Sequence, residues 1–196
     1  MQEEVYIPFL DTFYALSSDE ESERSFAASS LIHHLFIASE RVISINEDEA
    51  KESFDALVKD GCYAMKRLLN GLCSGRASAR QGYASCFSSF LKLSFNLRPP
   101  PALLQNESES WIYHFIEHMN ASNGKKISPI EFVREKLIEC THSQDVSNER
   151  KGSKKGRKGS EERDFMFGKL FGVLAVVRSG TLVTDIKSRN YEVCSS

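Results

Sequence analysis

The sequence predicts an all-α protein, and two observations support that prediction. Apolar residues recur every three or four positions through most of the 196 residues, and no run alternates apolar with polar residues as a half-buried strand does. The hydrophobic share of 41% and the charged share of 27% are those of an ordinary globular chain. We therefore expect residues 1–196 to form a single all-α region, either a helical bundle or an α-solenoid of the HEAT/armadillo kind.

The first part of the chain contains four predicted helices, over residues 3–17, 19–45, 47–60 and 62–73. Ser18 and Glu21 have the spacing of a capping box, which begins the second helix. A break at Gly61 would separate the third helix from the fourth and give eight helices in all; without it the chain has seven. Helical apolar spacing is clearest at Ala28, Leu31, Ile32 and Leu35, and at Met65, Leu68, Leu69 and Leu72.

The second part contains four more predicted helices, over residues 76–96, 108–121, 129–141 and 161–179. The proline triplet 99–101 ends the first of these. Ser128 and Glu131 form a second capping box, with Pro129 at the favoured first helical position. Gly180 has the position of a helix stop. We expect the apolar faces of 26–36, 65–72, 87–93 and 167–174 to share one core.

The last predicted helix carries two stripes of residues. Gly168, Gly172, Ala175 and Ser179 form a stripe of small residues, which lets another helix approach closely. Beside it lies an apolar stripe of Phe167, Leu170, Phe171 and Leu174. A phosphate-binding glycine loop needs a preceding strand and clustered glycines, so we interpret the small residues as a packing device.

A basic segment precedes that helix. Residues 147–160 contain four lysines, two arginines and three glycines but no apolar residue, which predicts a disordered loop. Within it, Lys154, Lys155, Arg157 and Lys158 match a nuclear import signal. The alternative is a solvated linker.

Charge is unevenly distributed along the chain, although the formal net charge is only −2. Residues 1–60 hold 14 acidic and 4 basic residues, whereas residues 61–100 hold 6 basic residues and no acidic one. Lys66, Arg67, Arg76 and Arg80 lie on both sides of a helix-to-helix turn. They would bind nucleic-acid phosphates without reading bases, or they would pair with carboxylates of neighbouring helices.

Catalytic, metal and membrane sites are not predicted. A nucleotidyl transferase needs two metal-binding carboxylates, and the chain has no Asp-x-Asp sequence. The pairs His33–His34 and His114–His118 fit no zinc template, and the five cysteines are scattered as in proteins with reduced thiols. The apolar stretch 171–177 is too short to span a bilayer. We expect no catalytic residue, metal, cofactor or membrane partner.

Three segments together resemble the amino-terminal region of the DNA polymerase phi family, also called the Myb-binding-protein family. The first segment spans residues 13–28. The second matches at Lys66, Arg67, Leu68, Gly71, Leu72, Ser74, Arg76, Ala79, Arg80 and Gly82. The third matches at Glu162, Arg163, Asp164, Phe167, Gly168, Leu170, Phe171, Gly172, Ser179 and Gly180. The order of the segments agrees, and together they cover most of residues 9–182.

The resemblance implies a HEAT/armadillo-like helical repeat protein of the nucleus and nucleolus, linked to ribosomal RNA gene transcription and ribosome biogenesis. It implies partners among nucleolar, ribosomal-DNA transcription or pre-ribosomal proteins, and DNA or RNA. Family members are several times longer, so we expect a fragment of a longer protein. We expect a non-enzymatic scaffold or regulator with non-specific nucleic-acid binding. The alternatives are a DNA-directed DNA polymerase subunit, as the family name suggests, and a cytosolic helical adaptor.

Overall fold

The structure, a computed structural model, describes residues 6–37, 47–99, 110–120, 127–142 and 155–183. Within these residues it is all-helical and has no strand, so the predicted all-α class is confirmed. The helices are α1 (Phe9–Ala15), α2 (Glu21–Ile32), α3 (Glu47–Leu72), α4 (Ala77–Asn96), α5 (Trp111–Asn120), α6 (Pro129–His142) and α7 (Lys155–Ser179). No helix in these ranges is both long enough and apolar enough to cross a membrane.

Helix α4 lies at the centre of the protein and packs against α2, α3, α5 and α7. Its Phe87, Phe90 and Leu91 are fully buried. The Phe90 ring stacks on the Phe115 ring of α5 with their centroids 5.6 Å apart, and Phe115 in turn stacks on Trp111 at 5.9 Å. Such aromatic contacts add to the area that the rings bury. On α3, Met65, Leu68 and Leu72 are fully buried as well. The α3 and α4 faces that were expected in a shared core are therefore confirmed.

Of the two alternatives at Gly61, the structure has the unbroken helix, because α3 runs without interruption from Glu47 to Leu72. A glycine inside a helix costs about 1 kcal/mol relative to alanine. Gly61 is buried, and a Cβ there would collide with the ring of Phe115. The missing side chain gives α5 its close approach to α3, and the packing of Phe115 offsets the weak helix propensity.

Two of the predicted helix boundaries, the start of α6 and the stop after α7, are confirmed, and the predicted start of α2 is displaced. The Glu131 N–H donates to Ser128 Oγ at 3.3 Å, as the capping box predicts, and Gly180 adopts φ +73° at the stop after α7. Helix α2 begins two residues later than expected, with Glu20 at the N-cap. Ser18 Oγ instead accepts the N–H of Glu20 at 3.1 Å, so it stabilises the turn ahead of the helix.

The helix predicted over residues 19–45 changes character within its length. After α2 ends at Ile32, residues His33–Ile37 form a π-helical segment. Here Tyr6 stacks on the His33 ring at 3.9 Å, and His34 Nε2 lies 2.9 Å from Asp60 Oδ2 of α3. The rest of that prediction, residues 38–46, lies outside the described residues.

The predicted disordered loop is wrong for its last six residues. Helix α7 begins at Lys155, so residues 155–160 are helical, whereas 147–154 lie outside the described residues. Lysine and arginine are good helix formers, and each residue added to an existing helix gains a hydrogen bond. The packed part of α7 therefore extends towards its N-terminus despite Gly156 and Gly159.

The two stripes of α7 take opposite roles. Gly168, Gly172, Ala175 and Ser179 are buried, which confirms the small-residue stripe as a packing face. The larger apolar stripe is only partly inside: Phe171 packs against the core, but Leu170 is 63% exposed and Leu174 46% exposed. The expected core face was therefore wrong at these two leucines, because the close approach occurs on the side without bulky side chains.

Candidate functional site at the α3–α4 turn

The site is the short turn, residues 73–76, that joins α3 to α4. Glycines on both sides of it allow close packing. The ring of Tyr83 occupies the space beside Gly71, and the main chain of Leu16 passes against Gly82. Tyr83 Oη donates to the Phe13 carbonyl oxygen at 2.7 Å, in a buried hydrogen bond that fixes α1 against α4. Gly71 and Gly82, both in the second family-like segment, therefore allow α1 and α3 to pack closely on α4.

Arg80 connects this turn to α7. Its residue is only 8% exposed, and its guanidinium donates to the carbonyl oxygen of Ser74. The guanidinium carbon lies 4.6 Å from the centroid of the Phe167 ring, which is a cation–π contact. Arg80 Nη1 also lies 3.7 Å from Asp164 Oδ1 of α7. Ser74 of the second family-like segment and Asp164 and Phe167 of the third thus all contact Arg80.

Asp164 is held in this cluster by charge rather than by a close hydrogen bond. Its carboxylate is mostly buried, and Oδ1 has no hydrogen-bond donor within the described part of the chain. Arg163 Nε lies 3.9 Å from the same oxygen, on the solvent side. Burying both charges has a desolvation penalty, so the pair is sensitive to loss of either partner.

Arg76, one turn before Arg80, makes a different kind of pair. Its Nη2 lies 3.0 Å from Asp19 Oδ1, and both side chains are largely exposed. Ser78 Oγ donates to the same carboxylate oxygen at 2.7 Å. The Ser78 hydrogen bond, and then Arg76, hold the pKa of Asp19 below its ordinary value. Asp19 thereby links the turn before α2 to the start of α4.

The other two predicted basic residues differ again. Arg67 is half-buried, and its guanidinium carbon lies 5.6 Å from the centroid of the Phe13 ring. Lys66 is exposed. The four bases therefore do not form one exposed ridge, because only Lys66 and Arg76 are largely in solvent. Their role in nucleic-acid binding stays a prediction.

The predicted import residues lie at the far end of α7. Lys155, Arg157 and Lys158 are in its first two turns, and Lys154 lies outside the described residues. Import function also stays a prediction. Among the residues that the structure describes, no group of three or more His, Cys, Asp or Glu side chains could hold a metal ion.

Helix α7 closes the site through its small residues. A Cβ at Gly168 would collide with Cys73 Sγ in the turn, and a Cβ at Gly172 would collide with Leu137 of α6. No structural role was predicted for Asp164 from the sequence. One could have been inferred, because Asp164 lies four positions before Gly168 and therefore on the packing face of the same helix.

The fold and this site define an all-helical packing unit, in which two sequence motifs far apart in the chain meet at helix contacts. Comparison with known proteins gives the family. Residues 63–195 match the model of the DNA polymerase phi family, which is more than half of the chain, and both motifs fall inside that match. The chain belongs to the DNA polymerase phi family.

Two curated relatives extend the comparison. The chain is 28% identical over 186 residues to the rDNA transcriptional regulator POL5 of Saccharomyces cerevisiae, covering 93% of the chain and 14% of that protein. It is 28% identical over 173 residues to the rDNA transcriptional regulator pol5 of Schizosaccharomyces pombe, covering 88% of the chain and 12% of that protein. The chain thus spans about one-seventh or less of their lengths. No solved structure matches it.

Proposed function

We propose that this chain is a non-enzymatic helical scaffold within a nucleolar regulator of ribosomal RNA gene transcription and ribosome biogenesis. The regulator role is supported by the two relatives, both of which are named as rDNA transcriptional regulators. The family match covers the part of the chain that contains α4 and α7. The partners we expect are other nucleolar, rDNA-transcription or pre-ribosomal proteins.

One observation carries the scaffold part of this proposal. The motif residues that resemble the family lie in contacts between helices: Arg80 meets Asp164 and Phe167, and Gly168 meets Cys73. Residues that carry out chemistry face a cleft where a substrate can reach them. Residues that fix helices against each other preserve a shape, and a shape that presents its surface to other proteins is what a scaffold needs.

A HEAT/armadillo-like repeat is part of the proposal. Its support is that consecutive helices pack on each other from α3 to α7, as in stacked helix pairs, whereas the extensive packing of α4 on α7 is also found in a helical bundle. The outer side of α7 remains apolar, with Met166, Leu170, Val173 and Val177 all more than half exposed. In stacked helical repeats each layer buries such a face against its neighbour.

Nucleic-acid contact is a further part of the proposal, supported by Lys66 and Arg76 in a stretch without acidic residues. Each neutralised phosphate contributes about 0.7–0.9 to the slope of log affinity against log salt. If both residues contact phosphate, the double variant Lys66→Ala with Arg76→Ala should make the slope shallower by about 1.4–1.8. The matched control is Lys51→Ala with Lys59→Ala, which removes the same charge from exposed positions of α3. An equal change in both proteins would show that only net charge matters.

The scaffold proposal is tested in cells with the full-length protein. Depletion should reduce labelling of new pre-ribosomal RNA, and re-expression of a fluorescent fusion should restore it and mark the nucleolus. A cytosolic signal with unchanged RNA synthesis would favour the adaptor instead. Primer extension by the purified full-length protein with a Mg²⁺ titration tests the alternative of a DNA polymerase subunit. Template-dependent synthesis there would contradict the non-enzymatic proposal.

The import signal has its own variant. Changing Lys154, Lys155, Arg157 and Lys158 to Ala in the fusion should move the signal to the cytosol. The control changes four other bases to Ala, which are exposed in the structure: Lys51, Lys59, Lys92 and Arg178. Unchanged nuclear accumulation of the first variant would show that these four residues are not an import signal.

A further inference from the structure

A shallow groove lies between α4 and α7 and is open to solvent. Its floor contains Ala84 and Ala175, which are both buried, and its α7 wall contains Phe171 and Leu174. The remaining lining residues are all exposed: Gln81, Ser85 and Arg178. The groove therefore combines an apolar floor and one apolar wall with a single cation at its edge.

The size of this groove decides which kind of ligand fits it. Its volume is about 80 Å³, whereas sites for small molecules and cofactors measure about 300–1,000 Å³. The groove therefore has room for one or two side chains but not for a whole cofactor. Gln81, Ser85 and Lys92 share one face of α4 and span about 17 Å of it, or about three helical turns. A helix laid along this face would insert its apolar side chains into the groove.

The two helices that form the groove carry charge of one sign there. Helix α4 contains no acidic residue, and α7 contains none after Asp164. Lys92 of α4 and Arg178 of α7 are both exposed, and neither has an ion-pair partner within the described part of the chain. An apolar groove with unpaired cations beside it is complementary to a surface of apolar residues flanked by carboxylates.

We propose that the α4–α7 groove binds an amphipathic helix of another protein, with apolar side chains on the docking face and carboxylates beside them. In this mode of recognition, apolar residues spaced at i, i+3, i+4 and i+7 fill a groove, and flanking charges fix the orientation of the helix. Leu174, which is 46% exposed, is the main apolar contact, and Arg178 pairs with a carboxylate. This inference deepens the scaffold proposal and rests on it, because it specifies the chemistry of one partner.

A nucleic acid fits this groove less well than a helix does. Single strands bind where a basic groove also offers exposed aromatic rings on which the bases stack. The aromatic ring in this groove, that of Phe171, packs against the core, and the wall beside it is the aliphatic side chain of Leu174. The groove thus provides apolar contact without a stacking platform, which favours a protein helix.

The test uses the purified full chain and two fluorescein-labelled helical peptides of about 18 residues, or five turns. The first peptide has leucines at i, i+3, i+4 and i+7 with glutamates beside them, and the second has lysine in place of each glutamate. Fluorescence anisotropy should show tighter binding of the glutamate peptide, and added salt should reduce the difference between the two. Equal or tighter binding of the lysine peptide would overturn the proposal.

Variants of α7 locate the binding site. Leu174→Glu should weaken binding of the glutamate peptide at least about tenfold, because it removes an apolar contact and adds a like charge. The matched control Val173→Glu makes the same change of charge on the outer side of α7, where the side chain is 60% exposed, and should leave the affinity unchanged. Arg178→Glu should weaken binding of the glutamate peptide by about two- to fivefold and strengthen binding of the lysine peptide. Equal weakening by Leu174→Glu and Val173→Glu would place the peptide on the outer face of α7 and contradict the groove.

Gel filtration of the same proteins tests a competing occupant. A dimer of the full chain that Leu174→Glu converts to a monomer would show that a second copy fills the groove, and the proposal would be wrong. Circular dichroism of each variant checks that the helices are retained, and the comparison of the two peptides on the wild-type chain does not depend on the variants. These measurements are independent of pre-ribosomal RNA labelling in cells. Normal loss of labelling on depletion, combined with no preference for the glutamate peptide, would retain the scaffold and exclude only this partner.

Discussion

Arg76 is the N-cap residue of α4 and Arg80 lies one turn further along, and each faces a carboxylate from a distant part of the chain. Arg76 meets Asp19 at 3.0 Å with both side chains largely in water. Arg80 meets Asp164 at the longer distance of 3.7 Å, but with side chains only 9% and 17% exposed. Loss of the shorter Arg76–Asp19 contact should cost less stability, because water screens exposed charges. Loss of Arg80 should cost more, because the Asp164 carboxylate would stay mostly buried without its partner. Burial, not distance, decides which arginine the fold depends on.

The two arginines also join α4 to different parts of the protein. Arg80 joins α4 to α7 through charge, an aromatic ring and the Ser74 carbonyl at once. Arg76 joins α4 to the turn before α2, where Ser78 shares the same acceptor. The first contact lies inside the packing of α4 on α7, and the second lies on its surface.

The largest effect is expected for Arg80→Ala. The variant leaves the mostly buried Asp164 carboxylate without its partner, and such a loss typically destabilises by about 3–5 kcal/mol. Urea unfolding of the full chain measures it. The double variant Arg80→Met with Asp164→Leu removes both charges and should recover most of the stability. If the double variant is as unstable as the single one, the loss comes from packing and not from the unpaired carboxylate.

A smaller effect is expected on the two faces of α7. Phe171 packs against the core, and Phe171→Ala should destabilise by about 2–3 kcal/mol, below the full range for buried aromatic residues because the ring is only partly covered. The matched control is Leu170→Ala, whose side chain is 63% exposed and whose loss should be within about 0.5 kcal/mol. Equal losses in the two variants would contradict the orientation of α7.

Gly168→Ala tests the close approach of α7 to the α3–α4 turn. The added methyl group would collide with Cys73 Sγ, and overpacking of this kind costs about 1–3 kcal/mol, partly offset by the better helix propensity of alanine. Gly75→Ala is the control, since a Cβ there would lie an ordinary 3.5 Å from Asp164 Oδ2. Thermal unfolding of both variants measures the difference. A Gly168→Ala protein as stable as the Gly75→Ala protein would show that α7 can shift without loss.

The sequence predicted the helices better than it predicted their environments. Spacing and capping residues located α4, α5 and α6 to within a few residues, because these signals are local. The continuity of α3 through Gly61 depends on Phe115, which is 54 positions away, and no local pattern contains that contact. The same holds for Arg80: the basic segment was visible, but its burial depends on Asp164 and Phe167 of the last helix. Tertiary packing decides these features.

The smallest effect concerns Asp19. The folded-state pKa of this carboxyl lies below its ordinary 3.8, first because Ser78 donates to it and second because Arg76 is near. A lowered pKa stabilises the fold above the unfolded value, and that contribution disappears as the pH falls through the folded value. The difference in stability between wild type and Asp19→Asn should therefore be constant from pH 5 to 7 and should shrink below about pH 3.8. Because the pair is exposed, the pKa itself is the better readout, by NMR titration of the carboxyl. Ser78→Ala and Arg76→Ala should each raise that pKa, and added salt should reduce the part due to the arginine charges and not the part due to Ser78. A pKa that neither variant changes would mean that Asp19 is fully solvated and that the surface pair has no influence on the fold.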